Sequence, residues 1–99
     1  MPLIDCTIPR AAAEALNLPR ALNGARADHV SDAQLEYSEI DVGQDRTHLS
    51  TSVSMAQYLA DQLRVLMANA EARSDLALML ACSSAMAALF RAIAEVRGT

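Results

Sequence analysis

A chain of 99 residues, 53% of them hydrophobic, is one domain's worth of sequence with ample apolar material for a core. Its net charge of −4 argues against a broad phosphate-binding surface, and its two cysteines are too few for a disulfide framework or a cysteine-rich zinc site. Only Tyr37, Tyr58 and Phe90 are aromatic, so Leu, Met, Ile and Val must fill the core and Ala must let helices approach closely.

The charge is unevenly placed. Residues 1–50 carry the whole net charge of −4, and residues 51–99 are neutral. All eight basic residues are Arg, a composition that fits a GC-rich bacterial source. Cys6 and Cys82 read as free thiols in a reducing cytoplasm. Asp5 stands where a secretion signal would carry a basic head, so no such signal is expected.

In chain order, Leu3 to Ile8 reads as a short strand or an extended arm. Pro9 suits the first position of a helix running through Arg10 to Leu16. Asn17-Leu18-Pro19 breaks that helix, and a short turn closes at Gly24. Ser31 to Gln34 has capping-box spacing, which predicts a short helix to about Ser38. The alternation Leu35-Glu36-Tyr37 also fits a strand, but helix is the preferred reading. Asp41 to Thr51 reads as a loop turning at Gly43.

No Gly or Pro occurs between Gly43 and Gly98, which predicts helix through most of that segment. Ser50, Thr51 or Ser52 would cap its start. Ala56, Leu59, Leu63, Leu66 and Ala70 form a seam of alternating three- and four-residue steps. Continued, that seam lands on Arg73, Ser84 and Arg91, so its phase slips between Glu71 and Asp75. The segment is therefore two helices, 52–71 and 75–97, with Ser74 as the second N-cap and Gly98 as a left-handed stop after Arg97. A short connection makes them an antiparallel hairpin.

The expected fold class is all-α: one domain over 1–99, the hairpin wrapped by short N-terminal helices and loops, completing a four-helix core as a homodimer. The predicted core is Leu59, Leu63, Leu66, Leu76, Met79, Leu80, Met86, Leu89 and Ile93. Leu76 to Phe90 is uncharged for fifteen residues, shorter than the ~18 or more that span a bilayer. It also contains Ser83 and Ser84, so it reads as a buried helix of a soluble protein with no membrane partner.

The second helix is apolar on nearly every side, more than one neighbouring helix can cover. Met79, Cys82, Ala85, Met86, Leu89 and Ile93 are its expected interaction face, with Met as an adaptable element. The partner would be a second copy or another helical protein. Asp28, Asp32, Glu36 and Glu39 would form one acidic stripe if helical, a docking strip for an Arg-rich surface or simply a solvated face. The functional expectation is a non-catalytic interaction or oligomerisation module with no cofactor.

Other chemistries have thinner support. Met1-Pro2-Leu3-Ile4 resembles the start of the small tautomerases; the resemblance implies that a free Pro2 amine serves as general base within a βαβ unit. Residues 10–24 loosely follow a helix-turn-helix, where Arg10, Arg20 and Arg26 would meet phosphates. There Gly24 stops the second helix early and the acidic run opposes DNA. Asp41, Asp45 and His48 share one loop, but their spacing matches no calcium loop, and His29 is isolated, so no metal is expected. Cys82-Ser83-Ser84 has no histidine nearby in sequence and reads as small-residue packing, so no catalytic residue is assigned.

Overall fold

The structure is a computed structural model that describes residues 3–17, 20–21, 23–24, 37–41 and 45–98. It is α+β, not all-α. A three-stranded antiparallel sheet is formed by β1 (Leu3–Pro9), β2 (Tyr37–Asp41) and β3 (Arg46–Ser52) in the order β1-β3-β2. The helices are α1 (Arg10–Leu16), α2 (Val53–Ala72) and α3 (Leu76–Arg97). The expected hairpin is present as α2 and α3.

The sheet corrects two expectations. Asp41 to Thr51 is not all loop, because β3 runs through most of it, and Tyr37 and Ser38 belong to a strand rather than a helix end. The cause is composition. Arg-Thr-His-Leu-Ser-Thr-Ser has one large apolar residue and reads as polar, yet Thr47, Leu49 and Thr51 alternate inward and are all buried. The β-branched threonines suit the pleat and supply methyl groups to the core. In β1 the inward positions are Ile4, Cys6 and Ile8, and the register sets Ile4 opposite Thr51, Cys6 opposite Leu49 and Ile8 opposite Thr47. One side of the sheet thus faces the helices, while Leu3, Asp5 and Thr7 on the other are exposed, a two-layer architecture.

Pro9 ends β1 and occupies the cap position, and α1 starts at Arg10, whose amide donates to the Asp45 carbonyl at 2.8 Å. Asn17 closes α1 in the left-handed region at φ 51°, which asparagine tolerates. At the start of α2, the Ser52 hydroxyl accepts the Met55 amide at 3.2 Å, so Ser52 is the cap among the three candidates.

The α2–α3 junction differs from its expected chemistry. Ser74 is not the N-cap of α3. It sits at φ 58° and ends α2: its amide donates to Glu71 at 3.0 Å, and the Asp75 amide donates to Ala70 at 2.8 Å. These two bonds satisfy the orphan carbonyls of a Schellman end. Asp75 is the cap of α3, accepting the Leu78 amide at 3.2 Å. Gly98 is not in the left-handed region either; at φ −78° it continues right-handed, and its amide donates to Ala94 at 2.7 Å.

The core joins the sheet to the helices through Ile4, Ile8, Leu49, Met55, Leu59, Leu63, Leu89 and Ile93, with alanines at the close approaches. Leu66 and Met86 pack against it, half buried. Leu76 and Leu80, expected inside, are exposed. Packing is the reason: α2, β1 and α1 pack on α3, and the side that carries Cys82, Ala85, Leu89, Ala92 and Ile93 is the buried one, so the other side turns outward.

Candidate interaction surface

Successive residues on a helix are about 100° apart, so steps of three and four stay on one stripe. On α3 the outward stripe is Leu76, Leu80, Ser83, Ala87, Phe90 and Ala94, all exposed. Its three large side chains retain 64%, 63% and 47% of their surface in solvent (Leu76, Leu80 and Phe90). Ser84 and Arg91 flank it and are exposed as well. Val65 on α2 is a further outward apolar residue, 56% exposed.

The interaction face expected from sequence lies elsewhere on the helix. Cys82, Ala85, Leu89 and Ile93 are buried within the chain's own core, Met86 packs half buried against it, and Met79, expected in the core, is half buried outside that cluster. Sequence periodicity finds an apolar helix but cannot tell which side the fold buries. The signal that could have found the outward stripe is the set of small and polar residues interleaved in it, Ser83, Ser84 and Ala87, bounded by Arg91.

By length and composition α3 is also apolar enough to cross a membrane, although a third of that span is buried against the rest of the chain. Its inward side is occupied by packing, and its outward stripe contains Ser83 and is flanked by Ser84 and Arg91.

The remaining candidates gather little chemistry. His48 Nε2 lies 3.3 Å from Asp5 Oδ1 across β3 and β1, an exposed pair whose strength depends on His48 being protonated. Asp41 lies in β2 and Asp45 just before β3. Among the described residues no group of three or more metal-ligating side chains comes together. Cys6 is half buried and its thiol is pushed up to about 11, by desolvation first and then by the Asp5 charge. Cys82 is buried, and its pKa is likewise raised by desolvation and then by Asp75. Burial and a neighbouring carboxylate thus disfavour the reactive thiolate at both cysteines.

A cleft of about 300 Å³ opens where the end of α1 meets α2, lined by Asn17, Arg20, Gly24, Tyr58, Gln62 and Leu66 among others. Among the described residues it gathers polar groups but no nucleophile or acid–base pair. Arg10 and Arg20, the described cations of the helix-turn-helix reading, lie on α1 and the helical turn at 20–21, and α1 packs on both hairpin helices. Arg26, Asp28, His29, Asp32, Glu36 and Pro2 lie outside the described residues. Glu39 is a strand residue of β2, so it cannot share a helical stripe with them.

Comparison with protein families, with characterised proteins and with solved structures gives no match for this chain.

Proposed function

We propose that this protein is a non-catalytic self-association module whose contact surface is the outward stripe of α3. One observation carries the reading: Leu76, Leu80 and Phe90 remain about half or more exposed although the opposite side of their helix is fully used by the core. Burying the exposed part of each would contribute about 1–2 kcal/mol, about half the value of a fully buried large side chain. Association itself costs at least about 4 kcal/mol in lost freedom. The stripe therefore supports a modest, concentration-dependent complex. Two unpaired cysteines support a reducing, cytoplasmic setting.

The test is solution mass by light scattering over a dilution series, with Leu80→Arg beside the wild type. The expected result is a wild type that gains mass with concentration and a folded variant that stays monomeric. Monomer at every concentration in the wild type, or self-association unchanged by Leu80→Arg, would overturn the reading.

One observation favours a second reading, an enzyme using the amine of Pro2. The chain does form a sheet, and β1 begins at Leu3, directly after that proline. Against it, every described strand pairing is antiparallel, whereas a βαβ unit pairs parallel strands. A Pro2→Ala variant assayed for enol–keto conversion decides it: no difference from wild type removes the enzyme reading.

A further inference from the structure

Resting on that reading, we infer that the occupant of the α3 stripe is the α3 of a second copy, antiparallel, with the two-fold axis passing at Ser83 and Ser84. The stripe is complementary to itself in that orientation and in no parallel one. Reversal about Ser83–Ser84 brings Leu80 level with Ala87 of the other copy, and Phe90 level with Ala77. Leu80 and Phe90 thus each meet an alanine, the condition for interdigitation across an isologous interface. Leu76 comes level with Arg91, whose aliphatic stem can cover it while the guanidinium stays in water. At the axis itself both residues are small and exposed, which permits helix axes to approach to about 8 Å.

Charge selects the same orientation. The exposed charge at the start of α3 is its cap, Asp75, and those at its end are Arg91, Glu95 and Arg97, a net +1. Antiparallel pairing sets the acidic end of one copy against the basic end of the other. Parallel pairing sets like ends together and stacks Leu76 on Leu76 and Phe90 on Phe90, leaving the small residues facing each other across a gap.

The experiment uses the full-length chain with Cys6→Ala, keeping the buried Cys82, and adds one cysteine at a time under mild oxidation. Ser83→Cys should give a covalent dimer in high yield, because residues at the axis lie within disulfide reach. Leu76→Cys should give none, since its two copies are about 22 Å apart along the antiparallel pair. A mixture of Leu76→Cys and Arg91→Cys chains should cross-link to each other. If the wild type self-associates and Leu80→Arg prevents it, but Leu76→Cys cross-links and Ser83→Cys does not, the association reading stands and the antiparallel geometry is overturned. A wild type that is monomeric at all concentrations overturns both. A monomer that sediments with phosphatidylcholine vesicles, and loses this with Leu80→Arg, overturns both in favour of a lipid surface.

Discussion

Ser74 donates its backbone N–H to the Glu71 carbonyl at 3.0 Å while holding φ at 58°, a conformation that suits glycine better than serine. This strained residue joins the two longest helices and sets the register of the hairpin. Ser74→Gly should relieve the Cβ clash and stabilise the fold by about 0.5–1 kcal/mol, reduced by the greater freedom of glycine in the unfolded chain. Urea unfolding followed by circular dichroism measures this directly. A variant less stable than wild type would mean that the serine side chain contributes more than the strain costs.

Two leucines separate the observed core from the one that periodicity suggests. Leu49 is fully buried on β3, and Leu80 is 63% exposed on α3. Leu49→Ala should cost about 2–5 kcal/mol through lost transfer energy and a cavity. Leu80→Ala, measured in dilute monomer, should change stability by no more than about 0.5 kcal/mol. The reverse ranking in chemical denaturation would put α3 in the wrong rotation.

Gly24 backs directly onto Tyr58. A Cβ added there would lie 2.5 Å from the Tyr58 hydroxyl oxygen. Gly24→Ala should therefore destabilise by about 1–3 kcal/mol through overpacking. Removing the oxygen in a Gly24→Ala, Tyr58→Phe double variant should recover part of that loss, whereas independent sites would simply add. The readout is a double-mutant cycle by thermal unfolding.

Cys6 makes stability depend on alkaline pH. Burial, and secondarily the Asp5 charge, raise its thiol from 9.0 to about 11, so the folded chain keeps a proton that the unfolded chain releases. The contribution is fully present below pH 9.0 and is lost as pH rises through about 11. The denaturant midpoint of the wild type should fall across that window more steeply than that of Cys6→Ala. In the same state both thiols should alkylate slowly near neutral pH and quickly once unfolded. Parallel pH profiles for wild type and variant would show that Cys6 is not desolvated.

Local chemistry was legible in the residues themselves. α1 runs from Arg10 to Leu16 as expected and ends at Asn17, but Pro9 caps it from the end of β1 instead of opening it. The phase slip of the apolar seam places the break between α2 and α3, although Asp75 takes the cap expected of Ser74 and Ser74 closes α2. β3 was hidden because a strand with threonine on its inward face carries too little hydrophobic contrast to reveal its period. Missing it turned an α+β chain into an apparent all-α one.

By itself the sequence determined that the second half must be a helical hairpin, since no residue between Gly43 and Gly98 lacks a Cβ or an amide donor and the apolar spacing follows helical steps. Only the tertiary structure decided which side of α3 is inside. A helix apolar on almost every side has no preferred rotation of its own; α2 and β1, a strand paired with the sequence-remote β3, pack on α3, whose Cys82, Ala85, Leu89 and Ile93 are buried while Leu76, Leu80 and Phe90 stay in solvent.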